Sequence, residues 1–239
     1  MGLRITHSGA SPVGSAVEVA AQPSCDSDDV PRLPDVLLRT LGRQLGGPSG
    51  PLGALIARML NKNNAAPIRA AVEALQLTGG ETVADIGFGG GLGLELLLGA
   101  TGRDGHVHGV EPSADMVARA RKNHRGEVDS GRLLLHEATM ESLPFATGSL
   151  NGWISVNTVY FVPDLAAAFG ELARVLSPGG RGVIGIADPA WMSQQPFTTH
   201  GFTLRPVAEV LAALESAGLT TEHQTLGDGP VFNLLVGTR

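Results

Sequence analysis

The fold is decided by residues 81–94, whose sequence is ETVADIGFGGGLGL. The segment TVADI is short, mostly apolar and partly β-branched, which suits a strand buried on both faces of a parallel sheet. Five glycines follow within residues 87–93. Glycine lets the chain turn sharply and lets a ligand approach the backbone, because it has no Cβ atom. Leucines come next and predict the apolar side of a helix, so the stretch predicts a strand, a glycine loop and a helix.

The glycine spacing separates two kinds of nucleotide-binding loop. The dinucleotide pattern G-x-G-x-x-G would require a third glycine at Leu92 or at Leu94, depending on where the pattern begins. The pattern D-x-G-x-G-x-G fits without a gap. Its positions are Asp85, Gly87, Gly89 and Gly91. This arrangement resembles the first motif of class I S-adenosylmethionine-dependent methyltransferases.

Later segments extend the resemblance, which is strongest over residues 78–186. Glu111 ends the second predicted strand, where it can accept hydrogen bonds from both hydroxyls of a ribose, although dinucleotide enzymes place an acid similarly. Three further segments carry the resemblance: EATMESLPF at 137–145, SVNTVYFVPD at 155–164 and ELARVLSPGGRGVIG at 171–185. They are similar to the family's third and fourth strand-end loops and its fifth-strand hairpin. The resemblance implies an α/β fold with a seven-stranded, mostly parallel sheet in the order 3-2-1-4-5-7-6, flanked by helices.

Composition and periodicity divide the chain into three parts. Residues 1–30 are rich in Gly, Ala, Ser, Pro and Asp, so a disordered tail is expected there, or else a segment that orders over the active site. Residues 31–77 have apolar positions at helical spacing and are expected to form an N-terminal helical cap. Residues 78–239 are expected to form the methyltransferase core. A chain of 239 residues is long enough for one substantial core.

The resemblance implies that S-adenosylmethionine is the cofactor and that several loops bind it. The implied cofactor residues are Asp85, Gly87, Gly89, Gly91, Glu111, Pro112, Met116, Thr139, Met140 and Asn157. For Met116, packing in the core is an equal alternative. The loop after the third strand departs from the family's common Gly-Asp-Ala. Because Thr139 is neutral, its hydrogen bond to adenine should be weaker than that of an acid.

Methyl transfer from a sulfonium is an in-line displacement in which positioning provides much of the acceleration. A hydroxyl or protonated amine acceptor must still lose a proton. His200 is the candidate base, since it lies in a long loop at the expected site and imidazole titrates near neutral pH. Tyr160 lies in a segment that resembles the N-T-x-Y-F form of small-molecule enzymes, and it is the candidate for orienting the acceptor. A structural role is the alternative for both residues.

Charge and cysteine content limit the possible partners. The net charge is -6 and no basic stripe is visible, which disfavours nucleic acid as a partner. Cys25 is the only cysteine, so no internal disulfide is possible, and we expect no metal. The sequence shows no membrane span or signal segment, so a cytoplasmic protein that is a monomer or a homodimer is expected.

The sequence therefore predicts an enzyme that methylates O, N or S of a small, largely apolar metabolite. Similarity to actinobacterial members implies bacterial specialised metabolism. One alternative is a protein of the same fold that binds the cofactor for cyclisation or regulation. The other is an NAD(P)-dependent oxidoreductase, which the missing third glycine disfavours.

Overall fold

The computed structural model describes residues 64–227 and 232–239. The predicted tail at residues 1–30 and most of the predicted cap at residues 31–77 lie outside these residues. The described strands are β1 (Thr82–Ile86), β2 (His106–Val110), β3 (Leu133–His136), β4 (Leu150–Val156), β5 (Leu176–Ala187), β6 (Thr220–Leu226) and β7 (Phe232–Thr238). The described α-helices are α1 (Ala65–Ala74), α2 (Leu92–Ala100), α3 (Ala114–Asn123), α4 (Arg125–Asp129), α5 (Leu165–Val175), α6 (Pro189–Ser193) and α7 (Val207–Ser216). Two 3-10 helices span Val159–Phe161 and Pro196–Thr199.

The seven strands form one sheet in the order β3-β2-β1-β4-β5-β7-β6. Strands β1 to β5 pair in parallel, whereas β7 is antiparallel to both β5 and β6. The predicted fold class is therefore confirmed. The chain moves from β1 out to β3 and then returns to place β4 on the other side of β1. This reversal opens a crevice at the carboxyl ends of the strands, where ligands bind in open α/β sheets.

Buried apolar side chains cover the central strands, as parallel pairing requires. Trp153 of β4 is fully buried, and its indole N–H donates to the carbonyl of Leu172 on α5 at 3.1 Å. Asp164 caps the N-terminus of α5, because its carboxylate accepts from the N–H of Ala167 at 3.0 Å. Among the described residues no helix combines the length and the apolar character needed to cross a membrane.

The connection between α5 and β5 differs from the prediction. The sequence Ser-Pro-Gly-Gly at residues 177–180 predicts a turn that ends the helix and leads into a strand from Arg181, whereas β5 begins at Leu176 directly after α5. Leu150 pairs with Leu176 and Gly152 pairs with Arg181, so residues 177–180 form a register shift within the strand. Backbone hydrogen bonds between residues 179–180 and Arg239 hold this segment in the sheet. A local turn pattern cannot predict this part of the strand, because its hydrogen-bond partner, Arg239, is distant in the sequence.

Residues 188–204 are more ordered than the sequence predicts. The segment contains α6 and the second 3-10 helix, and Asp188 caps α6 by accepting from the N–H of Trp191 at 2.9 Å. Met192 and Thr198 are buried. The hydroxyl of Thr198 lies 2.8 Å from the carbonyl of Gln195 and 3.1 Å from that of Met192, and its single proton is shared between these two acceptors. These contacts give the segment a packed conformation beside the carboxyl edge of the sheet.

Two histidines on neighbouring strands form a half-buried pair. His108 of β2 and His136 of β3 stack with ring centroids 5.3 Å apart, and Nδ1 of His108 lies 3.0 Å from Nε2 of His136. Phe145 packs edge-on against both rings. Burial and the neighbouring histidines lower the pKa of His108 to about 4, and burial also lowers the pKa of His136. The pair is therefore neutral in the native protein at neutral pH.

We expect this pair to make the protein sensitive to acid. Below about pH 6.5 the unfolded chain binds protons that the folded pair excludes, so the free energy of unfolding falls as the pH drops toward 4. Between about pH 7 and about pH 5 the loss should be on the order of 1 kcal/mol, or about 3 °C in Tm. Thermal melts of wild type and His108→Phe would measure it. The control is His106→Phe, which removes an exposed imidazole from the same strand. An unchanged pH slope in His108→Phe would contradict the assignment.

Candidate active site

A cavity of about 1110 Å³ opens at the carboxyl edge of the sheet. The last residues of five strands, β1, β2, β4, β5 and β6, lie in its wall. Most of the residues that the sequence predicts for the site are brought together there. They are Asp85, Gly87, Gly89, Glu111, Pro112, Thr139, Met140, Asn157 and Tyr160. The strand-end loops thus converge on one space, as the crossover topology requires.

The glycine loop is shaped by its neighbours as well as by its own sequence. Gly87 has φ +78°, and a Cβ atom there would lie 2.4 Å from Oγ1 of Thr158 in the loop after β4. Only glycine allows this close approach. Gly91 has φ +86° immediately before α2, and its N–H donates to the carbonyl of Phe88 at 2.8 Å. Gly91 is outside the described cavity wall, so it turns the loop instead of lining the site.

Asp85 is a buried carboxylate beside the first turn of α2. Its side chain is 5% exposed, and a Cβ atom at Gly93 would lie 2.1 Å from Oδ2 of Asp85. Gly93 therefore allows the helix to pack on the carboxylate. Burial raises the pKa of Asp85 to about 8, and the charge of Glu111 contributes to that rise. A cationic ligand in the cavity would favour the ionised form and lower this pKa.

Glu111 is held by two backbone donors. Oε2 accepts from the N–H of Gly89 and Oε1 accepts from the N–H of Ser113, each at 3.1 Å. Burial raises the pKa of Glu111, while these two hydrogen bonds partly offset the rise. Each oxygen keeps a lone pair, because a carboxylate oxygen accepts two hydrogen bonds. The carboxylate is thus oriented over the glycine loop and can accept from a pair of vicinal hydroxyls.

The loop after β3 contributes a weaker polar surface. Thr139 is exposed and Met140 is buried, and both lie in the cavity wall. The neighbouring Glu141 also lines the cavity, although neither the sequence pattern nor the family resemblance points to it. No local pattern distinguishes this glutamate from an ordinary surface acid.

Besides Gly91, two predicted site residues are not brought into the cavity wall as the structure describes it. Met116 is 1% exposed and packs in the core on the inner side of α3, and its contact with adenine stays a prediction. His200 follows the second 3-10 helix and lies outside the described wall, whereas Phe197 and Phe202 on either side of it lie within the wall. Its role as a base stays a prediction.

Tyr160 lies in the wall, but its hydroxyl is engaged by the protein. The hydroxyl accepts from the N–H of Ala187 at 2.8 Å, and the side chain is 4% exposed. Burial raises the pKa of Tyr160 above its ordinary value near 10, with a further contribution from Asp188. The phenol is therefore neutral at physiological pH. Its ring packs with Phe161 and Phe202.

The arrangement suits a nucleoside that carries a positive charge. Glu111 offers acceptors for ribose hydroxyls, and Asp85 offers a buried carboxylate to a cation. A pyrophosphate at the same loop would place a second anion beside Asp85 and Glu111, and like charges in a low-dielectric site repel strongly. These residues fit S-adenosylmethionine better than they fit a dinucleotide.

Comparisons with known proteins agree with this geometry. Residues 84–184 match the model of a methyltransferase domain. An arsenite methyltransferase of Halobacterium salinarum is 38% identical over 103 residues, which cover 43% of this chain and 26% of the relative. An O-methyltransferase of Pyrenophora dematioidea is 32% identical over 109 residues, which cover 46% of this chain and 39% of the relative. The chain thus spans well under half the length of these relatives.

Solved structures share the fold at low sequence identity. A methyltransferase from Aquifex aeolicus has a TM-score of 0.64 at 18% identity, covering 77% of this chain and 97% of that chain. Geranyl diphosphate C-methyltransferase from Streptomyces coelicolor has a TM-score of 0.64 at 20% identity, covering 82% of this chain and 87% of that chain. The [4+2]-cyclase SpnF has a TM-score of 0.62 at 17% identity, covering 72% of this chain and 79% of that chain.

The family model and the sheet topology describe the same part of the molecule. Residues 84–184 run from within β1 to within β5 and include the loops from which most of the cavity wall is built. The resemblance carried by Asp85, the glycine loop and Glu111 is therefore confirmed at the level of the fold and of the family model. Residues 84–184 of the chain thus match a methyltransferase domain, and the described strands have the sheet order of the class I S-adenosylmethionine-dependent methyltransferases that the sequence resembles.

Proposed function

We propose that the protein transfers a methyl group from S-adenosylmethionine to an oxygen, nitrogen or sulfur atom of a small, largely apolar metabolite. The observation that carries the proposal is the pair of buried carboxylates, Asp85 and Glu111, at one glycine loop. Burying two like charges is costly unless a positive ligand compensates for them. The cofactor, when bound, supplies an activated methyl group on a cationic sulfur.

The residues of the chain have separate roles in this proposal. Glu111 would accept hydrogen bonds from the ribose hydroxyls, with its orientation fixed by the N–H groups of Gly89 and Ser113. Asp85 would compensate the positive charge of the cofactor. Thr139 and Met140 would lie beside the adenine. Together they would fix the position of the methyl group, which is the main requirement of an in-line displacement.

The rest of the cavity wall supports an apolar acceptor. Phe161 and Phe202 lie with ring centroids 4.7 Å apart, and Phe197 lies 5.8 Å from Phe202. Trp191, on α6, also lines the cavity and is 37% exposed. These rings belong to the loops that follow β4 and β5, on the opposite side of β1 from Glu111. Aromatic walls bind planar or apolar groups by burial and ring packing.

Calorimetric titration with S-adenosylmethionine, S-adenosylhomocysteine and NADH tests the cofactor. We expect micromolar binding of both sulfur ligands and no binding of NADH, with Kd on the order of 10 μM. Binding of NADH alone would contradict the proposal. A panel of phenols, amines and thiols would then be assayed for S-adenosylhomocysteine formation. Cofactor binding without product across the panel would favour a non-methylating role for this fold instead.

A further inference from the structure

Two segments that follow neighbouring strands form the aromatic wall of the cavity. One is the β4 turn, defined as residues 157–163, and the other is the aromatic segment, defined as residues 196–205. The ring of Phe161 in the turn lies 4.7 Å from that of Phe202 in the segment, and both residues line the cavity. The relative position of these two segments therefore decides the shape of the wall.

The aromatic segment binds three backbone carbonyls of the β4 turn. The N–H of Thr203 donates to the carbonyl of Tyr160 at 2.9 Å. The guanidinium of Arg205 donates from Nη1 to the carbonyl of Val159 at 3.0 Å and from Nη2 to the carbonyl of Val162 at 2.8 Å. Two of the three contacts thus come from one side chain.

The charge and shape of Arg205 suit this contact. Its side chain is 11% exposed, and Nε lies 3.5 Å from Oε1 of Glu209 on α7. A guanidinium holds its donors in a rigid planar fork, whereas the ammonium group of lysine is a compact point charge. Hydrogen bonds from a charged donor are also stronger than those between neutral groups. Arg205 therefore fixes the backbone of the β4 turn to the start of α7.

Arg205 does not line the cavity as the structure describes it, whereas Val162 and Phe161 do. Its effect on a bound molecule must therefore pass through the wall. The start of the β4 turn has a separate anchor, because Nδ2 of Asn157 donates to Oδ1 of Asn64 at 3.1 Å. Loss of the guanidinium would release the part of the turn that carries the ring and would leave the start of the turn in place.

We propose that Arg205 is a positioning residue for the methyl acceptor, because its guanidinium holds the ring of Phe161 against that of Phe202 and so fixes the aromatic wall. This inference rests on the proposed function, since it assigns the wall to the acceptor. It goes further by naming a residue outside the cavity that sets the affinity for the acceptor. From the sequence alone, Arg205 would be assigned to a surface ion pair with Glu209, four positions further on.

The probe for the wall is 2-naphthol, a planar, largely apolar molecule with one hydroxyl. Its binding to protein saturated with S-adenosylhomocysteine is followed by the fluorescence of the probe, and calorimetry measures the affinity for S-adenosylhomocysteine. Arg205→Met keeps an unbranched apolar stem without the donors, and Arg205→Lys keeps the charge without the fork. The matched control is Arg132→Met. Arg132 also donates to two backbone carbonyls, those of Leu98 and Gly102, but it lies at the opposite edge of the sheet, directly before β3.

We expect Arg205→Met to lose about tenfold in affinity for 2-naphthol and to bind S-adenosylhomocysteine within about twofold of the wild type. Arg205→Lys should lose about threefold for 2-naphthol, since an ammonium does not reproduce the two parallel contacts of the fork. Arg132→Met should leave both affinities within about twofold of the wild type, because its contacts are remote from the wall.

A double-mutant cycle separates positioning from general destabilisation. Phe161→Leu removes the ring and keeps an apolar side chain at this position. Because Arg205 acts through that ring, Arg205→Met should cost less than about twofold in 2-naphthol affinity when it is made in the Phe161→Leu protein. Two independent effects would multiply instead.

Three results would overturn the inference: equal losses for both ligands in Arg205→Met, full affinity of that variant for 2-naphthol, or multiplied losses in the double mutant. A wild-type protein that binds S-adenosylhomocysteine but not 2-naphthol would also overturn it, while leaving the cofactor assignment intact. Failure of the wild-type protein to bind S-adenosylhomocysteine would overturn the proposed function, and the inference with it.

Discussion

Glu111→Gln is expected to weaken the binding of S-adenosylmethionine and S-adenosylhomocysteine by about 100-fold. The amide places an NH₂ group where one carboxylate oxygen accepts from the backbone, so the N–H of Gly89 or of Ser113 loses its acceptor. A hydroxyl of the ribose loses a charged acceptor as well, and hydrogen bonds to charged groups contribute about 1.5–3 kcal/mol each. Isothermal titration of the purified variant measures the loss.

Glu95→Gln is the control for this experiment. It removes the same charge from an exposed position on α2, close in sequence to the glycine loop. We expect its affinity to stay within about twofold of the wild type, because exposed charges are screened by solvent and salt. Equal effects of the two substitutions would show that Glu111 acts through general charge and not through directed hydrogen bonds.

Asp85→Asn is expected to change stability and binding in opposite directions. The pKa of Asp85 is raised to about 8 in the folded protein, well above its value in an unfolded chain. The folded state therefore holds a proton that the unfolded state releases, and stability falls as the pH rises through this pKa. Asparagine removes the buried charge. The Tm of the variant should exceed that of the wild type by about 4 °C near pH 9, with the difference shrinking toward pH 5.

The same substitution should weaken binding of the cationic cofactor by about tenfold at neutral pH or above. Wild-type affinity for S-adenosylmethionine should increase relative to that of Asp85→Asn as the pH rises from about 6 to about 9, because ionised Asp85 favours the cation. Calorimetric melts and titrations on both proteins in the same buffers provide the comparison. A variant that melts lower at every pH, or an affinity difference that does not depend on pH, would assign Asp85 a structural role only.

These two residues show how far prediction from the sequence can go. Asp85 lies in β1, one residue before its end, and Glu111 directly follows β2, so their place near the carboxyl edge of a parallel sheet follows from local sequence and topology. Their electrostatic state does not follow in this way. The raised pKa of Asp85 depends on the packing of Gly93 against its carboxylate and on the distance to Glu111 in another strand-end loop.

The sequence by itself determined the strand, the glycine loop and the helix of residues 81–94. Its resemblance to a known family also predicted the order of the strands in the sheet. Periodicity, turn residues and caps act over a few positions and can be recognised without the fold. Only the tertiary structure decided that residues 177–180 are held in the sheet by Arg239, and that Met116 packs in the core. It alone joined Asn64 to Asn157. Burial and hydrogen-bond partners depend on segments that are distant in the chain, and no local pattern encodes them.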